Sequence, residues 1–253
     1  MQKAGEALEV FDCNASFGRW HNERAPFHSK DAFLAFMARA QISRALIYNP
    51  YSIHWGTMEG NRLLLDAIGE TKCLVPQFVV SFAVDDIDEV QELTRDAEVT
   101  SIRIFPNSHR YPLVPWISDR WLEWVAHSRI ALWIPMGYSP EADVRDLYEM
   151  AGRYPTVKIV LAGSHYMNYS SIWPLLKVRE NIHFDLSRFD SADGVQRLIR
   201  HVGVHRLLFG SALPDVDPMP YLYYLQHSGL TQSQLEDICH RNLERILGSE
   251  PGS

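Results

Sequence analysis

Along the chain, short runs dense in valine, isoleucine, leucine and phenylalanine alternate with longer segments whose apolar residues recur every three to four positions. Eight such runs predict eight strands: Glu9–Cys13, Arg44–Pro50, Gln77–Val84, Thr100–Pro106, Ile130–Gly137, Val157–Ser164, Ile182–Phe189 and His205–Pro214. Apolarity within them is nearly continuous instead of strictly alternating, as expected of strands covered by helices, so the sheet is predicted to be parallel. The intervening segments carry helix signals. Ser139 reads as a cap with Pro140 at the first helical position, Val144, Leu147, Tyr148 and Ala151 on one face, and Gly152 at the end. Ser118 precedes Trp121, Leu122, Trp124 and Val125, while Ser191 precedes Val195, Leu198, Ile199 and Val202, with Gly203 as a stop. Thr231 and Gln234 have the spacing of a capping box. These stripes read as core-facing surfaces.

Strand starts recur at roughly 23 to 35 residues, the length of one strand-helix unit. Eight units in series, with no linker or low-complexity stretch between them, predict a closed (β/α)8 TIM barrel and one domain over residues 1–253. No G-x-G-x-x-G follows a strand and no G-x-x-x-x-G-K occurs, so nucleotide-type cofactors have no support.

Composition narrows the partners. At 46% hydrophobic and 22% charged residues the chain can bury a large core, and its net charge of −7 lacks the basic footprint that nucleic acid or an anionic membrane requires. A small-molecule ligand or substrate is expected, with no nucleic acid and no membrane; exposed tryptophans leave a homo-oligomer open. The start has no basic region followed by a sustained apolar run, which points to the cytoplasm. Cys13, Cys73 and Cys239 have no CxxC spacing and read as reduced core thiols.

Several strand ends carry a resemblance. "VFDCNAS", "KIVLAGSH", "IHFDLS", "HRLLFGSALP" and the closing "QLEDICHRNLERIL", above all Phe209-Gly210-Ser211-x-x-Pro214 and Asn242-x-x-Arg245, resemble the amidohydrolase-related barrels of the amidohydrolase superfamily. The resemblance implies a barrel with a divalent metal held by Asp-x-His-x-His on the first strand, histidines on the fifth and sixth, and an aspartate after Gly-Ser on the eighth. Here those positions hold Asp12, then Asn14 and Ser16, Pro135, Gly163 and Ala212. An amide, a hydroxyl, a proline, a glycine and a methyl do not replace that shell, so no metal and no cofactor are expected.

What remains at the strand ends defines the candidate chemistry. Period-two alternation turns Asp12, Asn14 and Ser16 toward the mouth, with Arg103, Asn107 and His109 on the fourth strand and beyond, His165 after the sixth, Asp185 and Ser187 on the seventh, and Ser211 on the eighth. Arg103 with Asp12 reads either as an internal ion pair or as an anchor for an anionic substrate. His165, Asp12 and Asp185 are the candidate proton carriers; Arg103, Asn14, Ser16, Asn107, His109, Ser211 and Trp55 are the candidate substrate contacts. The loops after the first two strands gather Trp20, His21, His28, Tyr51, His54 and Trp55, suited to a flat small molecule. Two readings of function stay open: a metal-independent hydrolase or lyase for a small anionic cyclic or aromatic substrate, or a pseudoenzyme that binds a ligand or partner without turnover.

Overall fold

The computed structural model describes residues 8–18, 29–189, 191 and 193–248. The strands, all parallel, are β1 (Phe11–Ser16), β2 (Arg44–Tyr48), β3 (Leu74–Pro76), β4 (Phe78–Val80), β5 (Ser101–Ile104), β6 (Ala131–Pro135), β7 (Ile159–Ala162), β8 (Ile182–Asp185) and β9 (Leu207–Leu208). β3 and β4 are two halves of the third barrel position, separated by Gln77. The Gln77 N–H continues the ladder to the Ile47 carbonyl at 2.8 Å, while its side chain turns to the interior. The ring closes where Cys13 N–H donates to the Phe209 carbonyl (2.9 Å) and Ser16 N–H to that of Leu213 (2.8 Å).

Alternate strand residues fall into two clusters. Ala45, Ile47, Phe78, Ile102, Leu132 and Leu161 pack with helix residues such as Phe33, Met37 and Leu64, whereas Leu46, Trp133, Val160 and Leu208 pack with one another. The second set fills the barrel's inside, and Leu243 and Ile246 of the last helix pack against it.

Strand and helix ends differ in places from the sequence reading, for identifiable reasons. The predicted third strand starts three residues late and runs too far: Ser81 begins a turn whose carbonyl accepts from Val84 and Asp85 N–H. The eighth starts late, at Leu207, because Val204–Arg206 form a 3-10 turn before it, and its ladder with β8 covers Leu207–Leu208. The helix after β6 begins at Val144, capped by the Asp143 carboxylate, which accepts from Arg145 N–H at 2.7 Å; Ser139 to Glu141 lie in the preceding loop. Ser118 sits inside the helix Pro115–Ser128, donating its hydroxyl to the Val114 carbonyl, and Asp193 occupies the cap position assigned to Ser191. Gly203 ends its helix with φ at 83°, and the Thr231–Gln234 capping box is present.

The C-terminal signature is structural. Asn242 Nδ2 donates to the carbonyls of Val204 and Leu207 at 2.8 and 2.9 Å, and Arg245 holds Asn242 Oδ1 and Asp237. It fastens the last helix to β9. Among the described residues, no helix is long and apolar enough to cross a membrane.

Candidate functional site

β1 carries a one-residue register shift between Asp12 and Ala15, and this bulge decides what the mouth contains. Phe11 and Cys13 join the inner packing cluster, whereas Asn14, within the shifted stretch, and Ser16, beyond it, line an open cavity of about 330 Å³. Strict alternation places Asp12 in the mouth; the bulge instead leaves it fully buried and absent from the cavity wall.

Asp12 is committed to the eighth strand's end. Its Oδ1 accepts from Ser211 N–H (2.8 Å) and Asn14 N–H (3.0 Å), and Ser211 Oγ donates to Oδ2. Ser211 is thereby a buried strand fastener, its hydroxyl also accepting from Leu213 N–H at 2.9 Å. Gly210 is required beside it, since a Cβ there would collide with Asp185 Oδ1. Asp185, 1% exposed, accepts from Asn14 Nδ2, Gly163 N–H and both the N–H and hydroxyl of Ser187, at 2.7 to 2.8 Å.

Arg103 does not pair with Asp12. Its Nε donates to Gln77 Oε1 at 2.7 Å and its Nη1 to Asn14 Oδ1 at 3.0 Å, while its guanidinium carbon lies 4.3 Å from the Tyr48 ring centroid. Nη2 is buried with no hydrogen-bond partner. The expected internal ion pair is thus replaced by two amide oxygens and an aromatic face, and Arg103 enters no ion pair with a carboxylate among the described residues. Asn14 is the hinge of this network: its amide oxygen receives the cation while its amide nitrogen serves Asp185 and, at 3.2 Å, Ser187 Oγ.

The electrostatics follow from burial. Desolvation lowers the Arg103 guanidinium from its ordinary value, opposed by nearby Tyr48 and Asp185. Burial raises Asp185, against its hydrogen bonds from Ser187 and Gly163, and pushes Asp12 up to about 6, against its bonds from Ser211 and Asn14. An aspartate whose pKa is higher folded than unfolded binds more protons in the native state between the two values. Its contribution to stability is therefore greatest in acid and declines as pH rises from about 4 to about 6. Asp12→Asn is expected to remove this slope, worth about 3 kcal/mol across the window, which urea unfolding at pH 4 and pH 7 measures; an unchanged slope would contradict the assignment.

The cavity wall also includes Tyr48, Phe105, Pro135, Tyr138, Gly163, His165, Arg188, Ala212 and Asp215. Arg103, Asn14, Ser16 and His165 are thus gathered as expected. His165 opens the turn after β7, its Nδ1 accepting from Met167 N–H at 3.4 Å and its ring edge-on to Tyr138 at 5.6 Å. Asn107, His109 and Trp55 lie outside this wall. Asn107 is exposed, His109 Nε2 lies 3.1 Å from the Ile53 carbonyl, and Trp55 is 53% exposed against Tyr51. Trp20, His21 and His28 fall outside the described residues. The wall residues Tyr48, Tyr138, Arg188 and Asp215 have no place in the sequence reading of the site; the last three lie in loops, which carry no periodic signal, while Tyr48 ends β2.

At the five positions where the resemblance implies metal ligands, Asn14 serves Arg103 and Asp185, and Ser16 donates to the Leu213 carbonyl at 3.3 Å. Pro135, Gly163 and Ala212 carry no donor side chain. Among the described residues no three His, Cys, Asp or Glu side chains come together as a metal group.

Solved structures share this architecture. An uncharacterised TIM-barrel protein from Bordetella bronchiseptica matches at TM-score 0.75 and 14% identity, over 96% of this chain and 99% of that one. 2,6-Dihydroxybenzoate decarboxylase from Rhizobium matches at TM-score 0.75 and 11% identity, over 97% and 100%. A dihydroxybenzoic acid decarboxylase from Polaromonas, solved with manganese and the inhibitor 2-nitroresorcinol, matches at TM-score 0.74 and 10% identity, over 96% and 97%. No curated protein matches the chain. The amidohydrolase family model matches residues 57–249, spanning the barrel from the helix after β2 to the end of the last helix, and the chain belongs to the amidohydrolase family of TIM-barrel proteins.

Proposed function

We propose that this barrel binds a small planar carboxylate at Arg103 without a divalent metal. The observation that carries the reading is the buried, unpartnered Nη2 of Arg103 at an open cavity of ligand size, about 330 Å³. A guanidinium already taken out of water, held by neutral oxygens and in no ion pair among the described residues, gains from an anion that supplies the missing acceptor. Tyr48 and Phe105 offer flat apolar surfaces beside it. The one-ring acids named for the similar decarboxylases support the same ligand class. The donor set does not fit a divalent cation, since the Asn14 amide oxygen is taken by Arg103, Ser16 offers one neutral hydroxyl, and the other three positions offer no side-chain donor. Net charge of −7 supports a small molecule over nucleic acid, and three free cysteines support a reducing, cytoplasmic setting for a single-domain barrel. A thermal-shift panel of benzoates in chelator tests this: stabilisation by carboxylates, absent with the matching benzamides, is expected, and equal responses to both would overturn it.

Turnover is a second reading, favoured by His165 in the cavity wall. Asp12 and Asp185 hold structural hydrogen bonds and do not line the cavity, which leaves His165 as the best-placed proton carrier. Should a hydrolase or lyase screen detect activity, His165→Ala is expected to lower kcat about 100-fold with ligand Kd unchanged. An unchanged kcat would rule out His165 as the proton carrier, and a screen that detects no turnover would favour the non-catalytic form.

A further inference from the structure

His165 and Arg188 form a partition. Besides lining the Arg103 cavity, both also line a second cavity, of about 680 Å³. Its remaining wall carries the aromatic rings of Tyr166, Phe189, Tyr221 and Tyr224, with Val216 in the loop that follows β9 and Pro220 in the first turn of the helix Met219–His227. Tyr221 is stacked against Phe209 at 6.5 Å and packs on Tyr224 at 5.6 Å, yet its buried hydroxyl has no hydrogen-bond partner. Asp217, exposed, also borders this chamber and disfavours an anion there.

We propose that the two cavities form one bipartite site whose ligand is a two-ring aryl carboxylate: the acid meets Arg103, and a neutral second ring passes His165 and Arg188 into the aromatic chamber. The inference rests on the carboxylate reading above. Three features argue for it: the chambers adjoin, with His165 and Arg188 common to both walls, the aromatic wall suits a ring face, and the Tyr221 hydroxyl is buried without a hydrogen-bond partner.

Calorimetric titration of the full chain with benzoate and with biphenyl-3-carboxylate tests it. The biphenyl acid is expected to bind at least about tenfold tighter. Val216→Trp, which fills the chamber, should remove that gain and leave benzoate affinity within about twofold. Pro220→Trp, at an exposed position, provides a second filling variant if the first fails to fold. Equal affinities of the two acids in the native protein, or a gain that survives both substitutions, would overturn the bipartite site while leaving the Arg103 reading intact. A biphenyl gain that persists while Arg103→Met leaves benzoate binding unchanged would overturn the Arg103 anchor instead, and with it this assignment. Binding of neither acid would overturn both.

Discussion

Asp185→Ala is expected to destabilise the protein by about 3 kcal/mol, a fall in Tm of about 6–12 °C for a chain of this size. Two effects compete. Removing a buried carboxyl that burial has already pushed toward its neutral form relieves a desolvation cost. Against that, the N–H groups of Gly163 and Ser187 lose their acceptors outright, and Asn14 Nδ2 keeps only the longer bond to Ser187 Oγ. Each stranded buried donor costs about 1–3 kcal/mol, so the loss outweighs the relief. Asp185→Asn should be intermediate, because one amide oxygen can serve one side of the network while the amide nitrogen faces donors on the other. Urea unfolding distinguishes these outcomes; a change below about 1 kcal/mol for the alanine variant would mean the network is not what ties β1, β7 and β8 together at the mouth.

Arg103→Met should act in the opposite sense on fold and on ligand. Carboxylate affinity is expected to fall at least about 100-fold, since a desolvated charge-assisted contact costs about 2–5 kcal/mol when truncated. Stability should hold or rise: Gln77 and Asn14 lose a donor, but the fold no longer carries a buried guanidinium with no counter-ion at ion-pair distance. Arg103→Lys keeps the charge and loses the fork, so its affinity should lie between, about tenfold below the native protein. A group that costs the fold and serves the ligand is the signature of a binding residue. Parallel losses of stability and affinity in Arg103→Met would instead identify it as a core element.

Much of the barrel was legible because its signals are periodic. Near-continuous apolar runs located every strand position, and Gly203 and the Thr231–Gln234 box fixed two helix ends through local chemistry. Caps failed where a stronger competitor stood nearby: the Asp143 carboxylate, next to Val144, wins over Ser139. The site was legible in its charges and misread in its geometry. Arg103, Asn14, Ser16 and His165 follow from strand ends, but the bulge in β1 breaks the alternation that would have brought Asp12 forward, and no residue in "FDCNAS" announces it. Asn107, His109 and Trp55 were placed by extending strand parity or lid composition into loops, where neither holds. Gly210 and Ser211 explain the family-like Phe-Gly-Ser as a close approach to Asp185 and a clasp on Asp12, so Ala212 follows them as part of the cavity wall.

The central claim is an anion site that works by a guanidinium alone, and one titration addresses it most directly. Purified protein, stripped with chelator and split in two, is titrated with 2,6-dihydroxybenzoate either in chelator or with excess manganese. The account predicts one molecule bound per chain with the same affinity in both halves, and binding abolished by Arg103→Met. Binding that appears only with manganese, and survives Arg103→Met, would contradict it.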